Sequence, residues 1–143
     1  MSESGPSLGN SETILRTFDN KYRRSDGTIR HDAFKIRDNG KDNDGLSVSR
    51  QAEREIADIE LLFDLKSQNK MLCYLLPVDV RAIEFEALDG GLDVIAAPTL
   101  NDPSHALIIG DPIFYGEKAL RRRVADVLSN LARYCDAENP PRP

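Results

Sequence analysis

Two histidines, a serine next to one of them, and a run of three arginines are the residues with most chemistry to offer: His31, His105, Ser104 and Arg121-Arg122-Arg123. Imidazole titrates nearest neutral pH, so either histidine suits general acid–base work or donation to a phosphate. His31 is followed by Asp32, and His105 follows Asp102-Pro103-Ser104. Both rings facing one cleft would give a two-histidine, phosphoesterase-like arrangement. Enzymes of that kind place Ser or Thr two residues after each histidine, where this chain has Ala33 and Leu107. The groups that would hold phosphate oxygens are therefore missing. Ser104 as a nucleophile would need a glycine elbow and a base from elsewhere, and Gly-x-Ser-x-Gly is absent. The catalytic candidates are His105, Ser104, His31 and Asp32. The competing expectation for His105 is that it opens a strand and bonds its ring to a backbone carbonyl.

The other chemical readings are weaker. Cys73 and Cys135 stand in no CxxC and near no histidine, so zinc has no support. Cys73 sits in the apolar run Met71-Leu72-Cys73-Tyr74-Leu75-Leu76 and reads as a small buried hydrophobe. Asp42-Asn43-Asp44-Gly45 imitates calcium-loop ligands, but the register fails. With Gly45 at loop position 6, position 1 falls on Gly40 and position 12 on Gln51. No metal or cofactor is expected. On a helix, Arg121, Arg122 and Arg123 spread over about 200° and so make a solvated face rather than a phosphate fork. A nucleic-acid partner through these arginines is the minor alternative. The formal net charge of −5 points the other way.

Positioning these residues requires a folded domain, and 143 residues with 40% hydrophobic and 30% charged composition are enough for one. The spacing predicts a helix over residues 117–135, with Leu120, Val124, Val127, Leu128, Leu131 and Cys135 on one face. A second helix is expected over 50–68, capped by Ser49, with Ala52, Ile56, Ile59, Leu62 and Phe63 as its buried stripe. Alternation over 83–87, the turn Asp89-Gly90-Gly91 and Leu92-Asp93-Val94 predict a hairpin, with a helix over 80–88 as the alternative, since Val80, Ile83, Glu84 and Ala87 also share a face. Residues 106–109 read as a buried strand, 28–37 as a further strand, and 38–45 as a polar loop. The expected fold class is α+β: a small mixed or antiparallel sheet packed against two amphipathic helices. Residues 1–12 are expected as a disordered lead-in, 13–137 as the single domain and 138–143 as a proline-rich tail. No apolar stretch approaches the roughly 20 residues of a membrane helix, and no signal peptide is apparent, so a cytoplasmic location is expected.

Asp26-Gly27-x-Ile29-x-x-x-Ala33-Phe34, Asp44-Gly45-Leu46-Ser47-Val48, Gly91-Leu92-x-Val94 and Asp102-Pro103-Ser104-His105-Ala106-x-Ile108-x-Gly110 together resemble a group of small bacterial proteins with no established activity. The resemblance covers roughly residues 18–112. It implies a bacterial origin and a place in a multi-gene locus, such as a mobile or defence-associated operon, and it transfers no catalytic residues. Loops held by rigid elements are where binding residues tend to lie, which singles out Phe34, Ser47 and Asp102. The function expected first is a non-enzymatic accessory or protein-interaction module with a protein partner. The alternative is a small hydrolase or nucleic-acid-processing enzyme using His105 with His31, Asp32 or Ser104.

Overall fold

The computed structural model describes residues 6–26, 28–35, 45–62, 64–83, 92–110, 118–136 and 138. Within them the strands are β1 (Ile14–Asp19), β2 (Leu46–Arg50), β3 (Lys70–Leu75), β4 (Leu92–Ala96), β5 (His105–Gly110) and β6 (Arg133–Cys135). The helices are α1 (Ile56–Leu62), α2 (Pro77–Arg81) and α3 (Lys118–Leu131). The strands form one open antiparallel sheet in the order β4-β5-β2-β1-β3-β6, and with the helices this makes an α+β fold.

Successive strand side chains point to opposite faces, so a central strand covered on both sides must be apolar on both. β1 meets this condition, with Ile14 and Leu15 each about 1% exposed. One face of the sheet, carrying Ile14, Phe18, Val48, Val94 and Ile108, packs on α3, on Val80 of α2 and on a 3-10 turn at His31–Phe34. The other face carries Leu15, Leu72 and Cys135 against Ile56 and Ile59 of α1 and against Leu65. In α3, Leu120, Val124 and Leu128 recur every four residues and are buried, which is the stripe the sequence predicts.

Three expected elements differ. The helix expected over 117–135 ends at Leu131, and Arg133–Cys135 instead pair with β3 as an edge strand, Cys135 opposite Leu72. A buried Cys135 fits a helix stripe and a strand equally, and the free edge of β3 offers the backbone partners. The helix expected over 50–68 shrinks to α1. Ser49 and Arg50 belong to β2, so Ser49 caps nothing, and Ala52 is exposed in a short 3-10 turn. Arg50 is held extended because its N–H donates to the Ser104 carbonyl at 2.7 Å and its guanidinium pairs with Glu12 at 2.6 Å. The strand expected over 28–37 is reduced to one bridge, Ile29 with Arg23, followed by the 3-10 turn. Asp26 makes the turn before it by accepting the Thr28 N–H at 3.0 Å. Residues 36–44, 84–91, 137 and 139–143, with the loop, hairpin and tail expected there, lie outside the described residues, as does Phe63.

Residues 6–12, expected as a disordered lead-in, are instead tied to the sheet. Leu8 is 4% exposed, its N–H donates to the Val94 carbonyl, and the Ala96 N–H donates to Pro6. Ser7 Oγ and Arg81 Nε both donate to the Asp93 carboxylate, at 2.6 and 2.8 Å. Partial burial pushes the Asp93 carboxyl up, but the bonds from Ser7, Arg81 and the Val94 N–H outweigh it and hold it below the ordinary 3.8. A carboxyl depressed by folding adds stability above its unfolded pKa and loses it as pH falls through the folded value. We therefore expect hydrogen exchange at the Leu8 and Ala96 amides to accelerate as pH drops below 3.8, relative to core amides. In Asp93→Asn that extra acceleration should vanish. An unchanged exchange ratio in the wild type would refute the role.

Candidate functional site

Two clefts hold the candidate residues, and they lie on opposite faces of the sheet. The first opens between the His31–Phe34 turn and α3, with a volume of about 340 Å³, and is lined by His31, Asp32, Lys35, Lys118, Arg121, Arg122 and Ala125. The turn is anchored from below: Ala33 and Phe34 are buried, and Arg16 Nε donates to the Ala33 carbonyl at 2.7 Å. The helix is anchored by Leu120 and Val124. Four basic side chains thus converge from two fixed elements on one acidic one, in a chain whose formal charge is −5. Arg121 is 8% exposed, so the arginine run does not ring the outer helix face as its spacing suggests. Arg121 turns inward while Arg122 and Arg123 stay exposed. Asp32 Oδ1 stands 3.7 Å from His31 Nε2, too far for a hydrogen bond, and Asp32 Oδ2 pairs with Arg30 at 3.2 Å. His31 is therefore no aspartate-oriented base. Asp32 Oδ2, though 3.2 Å from Arg30, is buried and accepts no hydrogen bond, so one carboxylate stands among the basic groups of this cleft.

The second cleft, of about 240 Å³, is lined by Thr17, Ser47, Ser49, Asp102 and His105, with Leu15, Arg16 and Val48. Register explains the grouping. Ser49 stands opposite both Leu15 on β1 and His105 on β5, which puts Ser47, Ser49 and His105 on the face away from α3. His105 Nδ1 lies 2.8 Å from the Ala97 carbonyl and Nε2 lies 3.2 Å from Ser47 Oγ. A carbonyl only accepts, so Nδ1 carries the proton and Nε2 presents its lone pair to the Ser47 hydroxyl. The backbone-carbonyl contact expected for His105 is present.

The remaining candidates separate. Ser104 is 0% exposed, and both its N–H and its hydroxyl donate to Asp102 Oδ1. It closes a turn and cannot reach a substrate. Asp102 lines the second cleft but spends that oxygen on Ser104. Phe34, expected as a binding residue, is 0% exposed and belongs to the core beneath the first cleft. His31 and His105 line different clefts, so the two-histidine arrangement does not form. The pairing that sequence reasoning missed is Ser47 with His105. The sequence distance between them hides it, and alternation within the Leu46-Ser47-Val48 strand is the one signal that Ser47 faces away from the apolar side.

Cys73 and Cys135 are free and buried, and burial pushes both thiols up to about 12, so neither is a nucleophile. Among the described residues no group of three or more His, Cys, Asp or Glu could hold a metal ion. No helix among them is long and apolar enough to cross a membrane. A more open depression at the start of α1, of about 670 Å³, is lined by Glu53, Glu55 and Asp58 with Arg54, Gln51, Ala52 and Leu61, and holds no histidine, serine or cysteine. No family model, curated protein or solved structure matches the chain.

Proposed function

We propose that this chain is an accessory interaction module that docks an anionic group of a protein partner in the cleft between the His31–Phe34 turn and α3. The docking role itself is non-enzymatic. The observation that carries it is the convergence of Lys35, Lys118, Arg121 and Arg122 on one concave site in an acidic protein. Lys118 and Arg122, both exposed at the cleft, can give an anion charge-assisted hydrogen bonds. A site of about 340 Å³ suits one phosphate or a pair of carboxylates on a peptide. A nucleic-acid backbone would use a longer basic track, and α3 turns one of its three arginines inward. The sequence resemblance supports a bacterial setting in which the partner is encoded in the same multi-gene locus, and a cytoplasmic location fits that setting.

Titration calorimetry with a phosphoserine peptide and its unphosphorylated twin tests the reading. The phosphorylated form should bind more tightly, and Lys118→Glu with Arg122→Glu should weaken it at least tenfold, since a charged hydrogen bond contributes about 1.5–3 kcal/mol. Lys118 and Arg122 are both exposed, so the variant keeps the fold. Products of neighbouring genes, co-expressed with the chain, should co-purify with the wild type and not with that variant. Equal binding by variant and wild type would overturn the proposal. So would tighter binding to duplex DNA with a steep salt dependence, which would assign the cleft to nucleic acid.

A further inference from the structure

We infer that the cleft on the opposite face is a second, independent site: an acyl-transfer centre in which Ser47 is the nucleophile and His105 its general base. Serine becomes a nucleophile only when a base stands within hydrogen-bond reach and a third group orients that base. Both conditions are present here, and the serine is accessible. Ser47 Oγ is 3.2 Å from Nε2, the Ala97 carbonyl at 2.8 Å from Nδ1 fixes both tautomer and ring plane, and Ser47 is exposed. The Ala97 carbonyl takes the place that an aspartate holds in a triad: it accepts a hydrogen bond from Nδ1–H and favours the imidazolium that forms in the reaction. Backbone holds each member. Ser47 is paired in β2 with Leu107 of β5, its carbonyl receives Arg16 Nη1 at 2.7 Å, and the Ala97 N–H donates to the His105 carbonyl at 3.0 Å. The residues Thr17 and Ser49, each with a hydroxyl, line the same cleft.

The step balances on these groups and water. Ser47 Oγ attacks an ester carbonyl carbon, a C–O bond forms, the carbonyl electron pair moves to oxygen, and the Oγ proton passes to Nε2. Collapse of that intermediate breaks the bond to the leaving alkoxide, which takes the proton from Nε2. Water then attacks the acyl carbon as Nε2 takes its proton; the bond to Ser47 Oγ breaks, Oγ takes that proton back from Nε2, and a carboxylic acid is released. A volume of about 240 Å³ suits an ester with a short acyl group.

The test uses the full chain, a fluorophosphonate that traps activated serines, and p-nitrophenyl acetate as substrate. Peptide mapping should find the phosphonyl group on Ser47, and Ser47→Ala should abolish both the adduct and ester turnover. His105→Gln should slow labelling at Ser47 by about 10²–10⁴-fold, the usual contribution of a general base. Circular dichroism of His105→Gln establishes that its fold is kept, and Ser47→Ala, a change at an exposed position, tests the claim in any case. Absence of a Ser47 adduct would overturn the proposal, as would equal labelling in a folded His105→Gln. Labelling at Ser47 and binding of the phosphoserine peptide are measured on the same wild-type protein, so failure at either cleft is read separately from the other.

Discussion

Phe34→Ala should destabilise the protein by about 3–5 kcal/mol, the range for emptying a buried aromatic site, and lower its melting temperature by roughly 10–20 °C. Phe34 is 0% exposed and packs in the main core with Ala33, Val124 and Leu128 as fellow members. The Arg16 guanidinium lies 5.6 Å from its ring centroid while donating to the Ala33 carbonyl, so the ring also supports the cation that pins the turn. Removing the ring leaves a cavity beneath the His31–Phe34 turn, and that turn carries His31 and Asp32 into the cationic cleft. Anion affinity should therefore fall together with stability. Phe34→Leu, which keeps most of the apolar volume, should lose less of both. Urea unfolding gives the number directly. A loss below about 1 kcal/mol would be the value of a surface residue and would return Phe34 to the binding surface that its loop position suggests.

That contrast shows what the sequence makes legible. Regular periodicity survives: the four-residue stripe of α3 and the apolar run of β5 lie where their spacing places them. Short apolar stretches do not. Ile29, Ala33 and Phe34 are all buried, yet they lie in a bridge and a 3-10 turn, because few residues of either form give the same pattern of burial. Cys135 is buried at a sheet edge for the same reason. Both clefts are illegible because each is assembled across distant segments. Arg121 turns inward only because the His31–Phe34 turn packs on α3, and Ser47 meets His105 only through the β2–β5 register. Ser104 shows the converse error. Its sequence neighbours Asp102 and His105 suggest chemistry, and its hydroxyl serves a turn.

Gly45→Ala should destabilise the protein, and the cause is backbone rather than core volume. Gly45 enters β2 with φ of +135°, a conformation that side-chain-bearing residues rarely adopt. An added Cβ would stand 2.7 Å from the Ile108 carbonyl oxygen, 3.0 Å from Ile109 Cγ2 and 3.2 Å from Leu107 Cβ. The nearest of these is backbone of the neighbouring strand and cannot swing aside. The conformational cost alone is about 1–3 kcal/mol, and relieving the clash must push β5 away from β2. That displacement propagates along the ladder, since Leu46 is registered on Ile108, Ser47 on Leu107 and Ser49 on His105. A shift of a few tenths of an ångström lengthens the 3.2 Å Ser47–His105 contact beyond good hydrogen-bond range. Gly45→Ala should therefore lower the urea midpoint and slow fluorophosphonate labelling of Ser47, while binding of the phosphoserine peptide at the opposite face changes little. Gly9→Ala is the control, because a Cβ there meets nothing within 4 Å. Equal stability of the two variants would show that β2 can enter the sheet by another backbone path and that Gly45 does not set the register of the site.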